Sequence, residues 1–284
     1  MTFRQSITEA VATLATEPRL SEHARRDAET LLLHVLQIDR ATLLAHPDRD
    51  ITSQQLETYD AAIARRLSHE PIQYITGEQE FFGLQLKVTP ATLIPRPETE
   101  HLVESVLSRL PDDRPVNILD VGTGTGAIAL ALAAHLPQAR ITAVDISAEA
   151  LVVARENAAA HNLSDRIRFH PSDLLTGLAE EERFGFFDAI VSNPPYIPEG
   201  DRADLDPQVR DHEPAQALFA GPTGLDIYCR LIPQARAALL PGSLLAMEIG
   251  HGQRDALSLL LADWQDVEFV ADLQQIPRVA LARR

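Results

Sequence analysis

Short apolar runs alternate with amphipathic segments from about residue 98 onward, and this order predicts an α/β fold with a doubly wound sheet. The predicted strands are Val116–Val121, Arg140–Asp145, Arg166–His170, Phe187–Ser192 and Ser243–Ile249. Helices are predicted around Asp226–Leu239 and after Gly252, and two last strands, Val267–Ala271 and Arg278–Leu281, predict a final β-hairpin. The segment from Ile197 to Pro222 contains four prolines, so we expect an irregular loop that contacts the substrate.

Residues 1–70 have helical periodicity, with an apolar stripe from Ala24 to Leu36. We expect Ser21 to cap that helix, Asp39 to begin a short one, and Thr52 with Gln55 to form a capping box. The region carries no cluster of reactive side chains, so we interpret it as a helical substrate-docking domain; a simple cap on the catalytic core is the alternative. Residues 71–97 predict a β-hairpin linker, and residues 98–284 a ligand-binding domain.

A glycine-rich loop joins the first predicted strand of this domain to a helix predicted over Ala127–His135. Its sequence is Gly122-Thr123-Gly124-Thr125-Gly126, and missing Cβ atoms there let a ligand approach the backbone. The spacing is not that of a dinucleotide site, and no Gly-Lys-Ser/Thr follows to hold a triphosphate. Asp145 ends the next strand, roughly 20 residues after the last glycine, where a carboxylate can accept both ribose hydroxyls. An adenosine-containing ligand is predicted.

The tetrapeptide Asn193-Pro194-Pro195-Tyr196 follows the strand that ends at Ser192. Open α/β sheets bind ligands at the carboxyl ends of their strands. Prolines lack N–H donors but keep carbonyl acceptors, the Asn193 side chain adds another acceptor, and Tyr196 offers a flat apolar surface. The set suits a planar –NH2 group, with one acceptor for each hydrogen. A turn that simply ends the strand is the alternative.

Four motifs occur in the order Asp120-x-Gly-x-Gly-x-Gly, Asp145, Ser172-Asp173 and Asn193-Pro-Pro-Tyr. Together they resemble class I S-adenosylmethionine-dependent methyltransferases that act on planar nitrogen, a group that includes DNA amino-methylases and protein-glutamine N5-methylases. The segments 77–83 (GEQEFFG) and 93–100 (LIPRPETE) resemble the signature of the peptide chain release factor glutamine methyltransferases, the HemK/PrmC family. A related family that methylates a ribosomal-protein glutamine differs after Pro-Arg. The chain departs from the family at Gln274-Gln275, where a glycine is expected.

The resemblance implies a class I methyltransferase fold and methyl transfer to the N5 nitrogen of the glutamine in the GGQ motif of release factors, with S-adenosylhomocysteine as product. It implies cofactor contacts from the glycine loop (Gly122, Thr123, Gly124, Thr125, Gly126), Asp145, Asp173, Leu174 and Asn193. It assigns amide binding and catalysis to Asn193, Pro194, Pro195 and Tyr196, and it places Arg96 and Glu98 near the methionine end or the substrate glutamine. A surface ion pair is the alternative for Arg96 and Glu98, and a helix cap for Ser172-Asp173.

Composition narrows the choice of substrate. The chain of 284 residues has a formal net charge of −16 and no Lys/Arg-rich stretch, which counts against a nucleic-acid substrate because phosphates call for a basic face. One cysteine excludes an internal disulfide, and the histidines have no metal-ligand spacing, so we expect no metal. We expect a monomeric cytoplasmic enzyme whose partners are release factors, without nucleic-acid or membrane binding. A methyltransferase of ribosomal-protein glutamine or of DNA or RNA amino groups, and a non-catalytic cofactor-binding adaptor, remain the alternatives.

Overall fold

The computed structural model describes residues 1–284 and divides into two compact units. The first is Met1–Gly77 together with Asp206–His212, and the second is Glu78–Leu205 together with Glu213–Arg284. The helices are α1 (Phe3–Leu14), α2 (Pro18–Ser21), α3 (Ala24–Leu36), α4 (Arg40–Ala45), α5 (Ser53–Leu67), α6 (Ile72–Thr76), α7 (Pro97–Leu107), α8 (Ala127–His135), α9 (Ala148–Ala160), α10 (Pro207–Arg210), α11 (Asp226–Ala238) and α12 (Arg254–Leu260). The strands are β1 (Glu78–Phe81), β2 (Leu84–Lys87), β3 (Asn117–Val121), β4 (Arg140–Asp145), β5 (Ile167–Pro171), β6 (Phe187–Ser192), β7 (Leu239–Glu248), β8 (Gln265–Ala271) and β9 (Pro277–Arg283). None of the helices combines the length and the apolar character needed to cross a membrane.

Most helices of the first unit begin with a side-chain cap; α3 and α6 do not. The capping box of α5 is present, with Gln55 N donating to Thr52 Oγ1 at 3.3 Å and Thr52 N donating to Gln55 Oε1 at 3.1 Å. Asp39 caps α4 as expected. The prediction for Ser21 was wrong: it ends α2, its hydroxyl donates to the carbonyl of Pro18, and α3 begins after His23 without a side-chain cap.

A buried polar pair lies within the apolar core of the first unit. Arg66 Nε donates to Asp27 Oδ2 at 2.8 Å, and both side chains are almost fully buried. Arg66 Nη1 also donates to the carbonyl of Glu70 at 3.0 Å and to Gln208 Oε1 at 3.4 Å. His212 Nε2 lies 3.2 Å from the carbonyl oxygen of Ser68. The segment Asp206–His212 is therefore held by polar contacts of its own unit.

The hairpin predicted over residues 71–97 is shorter in the structure. Strands β1 and β2 pair antiparallel from Glu78 to Lys87. The stretch Ile72–Thr76, rich in β-forming residues, is instead the helix α6, which follows Pro71 and ends at Gly77 with a left-handed φ of 80°. Proline before a first turn and glycine after a last turn favour a short helix, and tertiary burial of Tyr74 and Ile75 overrides the local β preference.

The second unit is built on a seven-stranded sheet with the order β5-β4-β3-β6-β7-β9-β8. The strands β5, β4, β3, β6 and β7 are parallel, and β9 is antiparallel to β7 and β8. Buried residues of α7 and α8 cover one face, and those of α11 and α12 cover the other. This confirms the predicted doubly wound sheet with a C-terminal antiparallel hairpin; β7 begins at Leu239, before the predicted Ser243.

The strand register aligns the residues that follow the parallel strands. Val121 of β3 pairs with Val144 of β4 and with Ser192 of β6, and Ser192 pairs with Met247 of β7. The next residue on each strand therefore lies at one edge of the sheet: Gly122, Asp145, Asn193 and Glu248. Three of these four were predicted site residues.

The long loop after β6 is less irregular than its prolines predict. It contains the short helical segments Glu199–Asp204, α10 and Ala215–Ala217. Each begins at or directly after a proline, namely Pro198, Pro207 and Pro214. Proline is tolerated there because its fixed φ suits a first turn and the missing N–H has no intrahelical partner in any case. The prolines therefore start turns here and do not exclude them.

Candidate active site

A cavity of about 270 Å³ opens at the carboxyl edge of the sheet within the second unit. Most of the predicted site residues line it: Gly122, Thr123, Gly124, Thr125, Asp145, Asp173, Leu174, Asn193, Pro194 and Pro195. Four predicted site residues do not: Gly126, Tyr196, Arg96 and Glu98. Most of the residues predicted from the sequence therefore line one cavity, and the other four lie outside its lining.

Gly126 supports the packing of the glycine loop. It precedes α8 with a φ of 84°, and a Cβ atom there would lie 2.6 Å from Leu130 Cδ1 and 3.3 Å from the Cβ of Ala154. Gly124 is different, because a Cβ there would meet nothing within 4 Å and its backbone faces the cavity. Asn157 holds the loop by donating from Nδ2 to the carbonyl of Thr125 at 2.9 Å, a contact that the sequence did not predict.

Two carboxyl groups lie beside the glycine loop. Asp145 accepts from Gly124 N and from Ser147 N, both at 2.9 Å, so each of its oxygens keeps lone-pair capacity toward the cavity; its burial raises the pKa of the carboxyl. Asp120 is fully buried and accepts from Thr123 Oγ1 at 2.6 Å, and burial raises its pKa to about 7. A partly desolvated carboxylate beside exposed glycine backbone fits a ribose diol, so the residues present suit an adenosine cofactor.

Asp173 and Leu174 form another part of the wall. Leu174 has a left-handed backbone with a φ of 52°, and Ser172 Oγ donates to its carbonyl at 2.6 Å. No helix begins there, so the alternative of a helix-capping Ser-Asp pair is wrong. Asp173 Oδ2 accepts from Arg230 Nη2 at 2.5 Å, and Arg230 lines the same cavity. Arg230 was missed because it lies on α11, far along the chain from the motifs.

The side chain of Asn193 is oriented by a chain of hydrogen bonds. Asn193 Nδ2 donates to Thr99 Oγ1 at 3.1 Å, and Thr99 Oγ1 donates to Glu248 Oε2 at 2.6 Å. Its amide oxygen is thereby left to accept from a ligand in the cavity. Glu248 is almost fully buried at the end of β7, and burial raises its pKa to about 7. Sequence reasoning assigned no role to Thr99 or Glu248, although Glu248 ends a strand at the same edge.

Tyr196 lies behind the cavity wall. Its hydroxyl donates to Glu248 Oε1 at 3.4 Å, and burial raises the pKa of the phenol. Gln253 Nε2 donates to the carbonyl of Tyr196 at 2.9 Å, and a Cβ on Gly250 would lie 2.9 Å from Tyr196 Cδ2. The ring is therefore partly buried against its neighbours, and its polar contact is with Glu248.

Arg96 forms an ion pair that joins two segments of the cavity rim. Its guanidinium pairs with the buried carboxylate of Glu213, whose other oxygen accepts from Ile94 N at 3.3 Å. Burial raises the pKa of Glu213, and Arg96 opposes that shift. Glu98 is exposed. Glu213 directly precedes Pro214, which lines the cavity, so the pair ties the segment before α7 to the loop after β6.

One family model and two solved structures are similar to the second unit or to the chain, and they support the fold described above. The family model "Methyltransferase small domain" matches residues 100–206. The catalytic domain of hMettl16, solved in complex with MAT2A 3'UTR hairpin 1, is 20% identical with a TM-score of 0.56 and 90% coverage of both chains. The 16S rRNA N2 G1207 methyltransferase RsmC of T. thermophilus, solved with AdoMet and guanosine, is 21% identical with a TM-score of 0.55, covering 73% of this chain and 49% of that one. With the sheet order and the cavity, these matches define the class I S-adenosylmethionine-dependent methyltransferase fold.

The relatives at higher identity identify the family. The family model "PrmC N-terminal domain" matches residues 5–77. A release factor glutamine methyltransferase of Koribacter versatilis is 45% identical over 100% of this chain and 99% of its own length. The enzyme of the same name from Escherichia coli is 43% identical with the same coverage. The chain therefore belongs to the release factor glutamine methyltransferase family.

Proposed function

We propose that this protein transfers the methyl group of S-adenosylmethionine to the N5 nitrogen of the glutamine in the Gly-Gly-Gln motif of peptide chain release factors, and releases S-adenosylhomocysteine. Family membership supports this substrate. The observation that carries the proposal is the orientation of Asn193, whose Nδ2 is engaged by Thr99 at 3.1 Å while its side chain lines the cavity. An acceptor oxygen at that point suits a –NH2 group as the methyl acceptor.

In this proposal the cofactor occupies the part of the cavity formed by the ends of β3, β4 and β5. When bound, S-adenosylmethionine supplies an electrophilic methyl group on its sulfonium sulfur. The backbone of Gly122 and Gly124 allows close approach, Asp145 accepts from the ribose hydroxyls, and Asp173 and Leu174 lie beside the adenine. Gly126 contributes by holding the loop against α8.

The remaining chemistry concerns the amide nitrogen of the substrate, which is a poor nucleophile because its lone pair is delocalised into the carbonyl. The Asn193 side-chain oxygen and the Pro194 carbonyl, placed out of the amide plane, accept its two hydrogens and favour a more pyramidal nitrogen. The lone pair then points at the methyl group, so positioning and electrostatics supply most of the rate. The methylated amide loses its proton afterwards, and no general base is required before transfer. Pro195 and Tyr196 exclude water behind the acceptor groups.

The first unit, in this proposal, binds the body of the release factor. The formal net charge of −16 supports a protein substrate over a nucleic acid, because an acidic surface repels phosphates. We further propose that the enzyme acts as a cytoplasmic monomer. Arg96 and Glu213 hold the cavity rim where the target glutamine enters, and the exposed Glu98 is free to contact the substrate near that point.

The test is incubation with labelled S-adenosylmethionine and purified release factor, followed by mapping of the label by mass spectrometry. We expect one label, on the glutamine of the Gly-Gly-Gln motif, and none on a release factor in which that glutamine is alanine. Asn193→Ala should lower the rate by roughly 10² to 10³ with cofactor affinity within about twofold by calorimetry. Label on a ribosomal protein or an oligonucleotide, with none on the release factor, would refute the proposed substrate.

A further inference from the structure

Three side chains from different elements form a continuous hydrogen-bond chain that ends at the cavity. Glu248 at the end of β7 accepts from Thr99 on α7 at 2.6 Å, and Thr99 accepts from Asn193 after β6 at 3.1 Å. Thr99 and Glu248 are 4% and 3% exposed, so bulk water does not compete for these bonds. Glu248 does not line the cavity and can act on a substrate only through its neighbours.

We propose that Glu248 is a positioning residue that acts through Thr99 to hold the side-chain amide of Asn193 with its oxygen facing the methyl-accepting nitrogen. This inference rests on the proposed function for the identity of the acceptor. It adds two residues to the site, and it explains why a freely rotating asparagine would not suffice. An asparagine amide turned by half a rotation presents –NH2 to the substrate –NH2, and two donors repel each other.

The donor and acceptor rules fix the direction of this chain. An ionised carboxylate only accepts, so the single hydroxyl proton of Thr99 must point at Glu248. The Thr99 oxygen is then left to accept, and only the –NH2 end of Asn193 can satisfy it. The distance of 2.6 Å between Thr99 Oγ1 and Glu248 Oε2 falls in the range of about 2.5 to 2.7 Å that is typical of a hydroxyl donating to a carboxylate.

Protonation of Glu248 removes this constraint. A protonated carboxyl can donate to Thr99, whose hydroxyl proton is then free to turn toward Asn193. It would bind the amide oxygen of Asn193 and leave the –NH2 group facing the substrate. The pKa of Glu248 is raised to about 7, chiefly by burial and also by the charge of Glu98, whereas the bonds from Thr99 and Tyr196 and the charge of Arg278 oppose the shift. Tyr228 also packs here, with its hydroxyl donating to the Glu248 carbonyl at 2.8 Å. The active form is the carboxylate, so kcat should fall as the pH falls through about 7.

The variants separate this role from a structural one. Thr99→Val removes the hydroxyl with little change in size, and Thr99→Ser restores it. Glu248→Gln keeps an acceptor but cannot titrate, and its amide can also turn and donate. Thr142→Val is the matched control, because Thr142 is buried in β4 and bonded to Arg168 away from the cavity.

We expect Thr99→Val to lower kcat by about 10²-fold, the loss typical of one transition-state acceptor, with the KM for cofactor within about twofold. Thr99→Ser should recover to within about fivefold of the parent, and Thr142→Val should match the parent. Glu248→Gln should be several-fold slower and lack the acidic limb of the kcat profile. Wild-type kcat in Thr99→Val overturns the proposal. An acidic limb that persists in Glu248→Gln also overturns it, because the limb then belongs to another carboxyl group, such as Asp120, whose pKa burial likewise raises to about 7.

A readout without any substrate separates this inference from the proposed function. The Asn193 side-chain amide signals in a ¹⁵N spectrum, assigned by their loss in Asn193→Ala, should shift with pH around a midpoint near 7 in the wild type. They should not shift in Glu248→Gln or Thr99→Val. If the wild type methylates no release factor but shows this titration, the positioning role of Glu248 is supported and the proposed substrate is wrong. If the Asn193 signals respond neither to pH nor to Glu248→Gln nor to Thr99→Val, the positioning role of Glu248 is wrong, whatever the substrate.

Discussion

Gly126→Ala should destabilise the second unit while leaving the cofactor-facing backbone in place. The sequence assigned Gly126 to the cofactor together with Gly122 and Gly124, but in the structure it does not line the cavity. An added Cβ would lie 2.6 Å from Leu130 Cδ1 and 3.3 Å from the Cβ of Ala154. Leu130 is fully buried and Ala154 is held on α9, so neither can move aside without disturbing the core.

Two terms set the size of the effect. A non-glycine residue in the left-handed region costs roughly 1 to 2 kcal/mol, and the φ of Gly126 is 84°. Overpacking a filled core costs typically about 1 to 3 kcal/mol. The free energy of unfolding should therefore fall by about 2 to 5 kcal/mol. Gly242 is the matched control, because its φ is 78° and a Cβ there meets nothing within 4 Å. Gly242→Ala should cost only the backbone term.

The assay is urea denaturation followed by the fluorescence of Trp264, the single tryptophan, which is buried in the second unit. Cofactor affinity of folded Gly126→Ala, measured by calorimetry, should remain within a few-fold of the parent. Gly124→Ala should show the reverse, a modest loss of stability and a larger loss of affinity, since its backbone faces the cavity. Equal losses of stability in Gly126→Ala and Gly242→Ala would refute the packing argument.

Three further predictions concern charged groups. Asp145→Ala should weaken S-adenosylmethionine binding by roughly 2 to 3 kcal/mol through lost ribose hydrogen bonds, and an unchanged dissociation constant by calorimetry would remove it from the site. Glu213→Ala should lower kcat/KM for release factor about tenfold at unchanged cofactor affinity, because Arg96 loses its partner. Full activity in steady-state assays would show that the Arg96–Glu213 ion pair is not needed at the cavity rim. Asp27→Ala should destabilise the first unit by about 3 to 5 kcal/mol, because it leaves a buried guanidinium without its partner. Asp48→Ala, at an exposed ion pair, should lower the free energy of unfolding by less than about 1 kcal/mol. Both are measured by circular dichroism, and equal losses would contradict the burial argument.

The sequence predicted those features that depend on neighbouring residues. The strand that ends at Val121, the glycine loop and the helix Ala127–His135 are encoded locally, and so is the capping box at Thr52. Local rules failed where tertiary burial competes with them, as in Ile72–Thr76, which forms α6. They failed again at Ser21, whose hydroxyl bonds to the preceding turn and does not begin α3.

The missing parts of the site are pairs that are distant in sequence. Thr99 and Glu248 are separated by 149 positions, and Arg96 and Glu213 by 117. No periodicity reports such contacts, because they arise only when the sheet aligns its strand ends. The pattern of strand ends does contain one signal for Glu248, which is the second-last residue of the predicted apolar strand Ser243–Ile249 and the last residue of β7. An acidic residue at the end of a further parallel strand is a candidate site residue on that pattern alone.

Specificity for a release factor must come from beyond the acceptor groups. The Asn193 oxygen and the Pro194 carbonyl recognise an –NH2 group, and any planar amide or aminopurine offers one. The first unit offers no reactive cluster, and we propose that it recognises the partner; a destabilised variant within the full chain tests that role. If it docks the partner, Asp27→Ala should raise the KM for intact release factor and leave methylation of a short target peptide unchanged, because a peptide cannot engage the unit. Equal slowing of protein and peptide would show that the helical unit only stabilises the catalytic one.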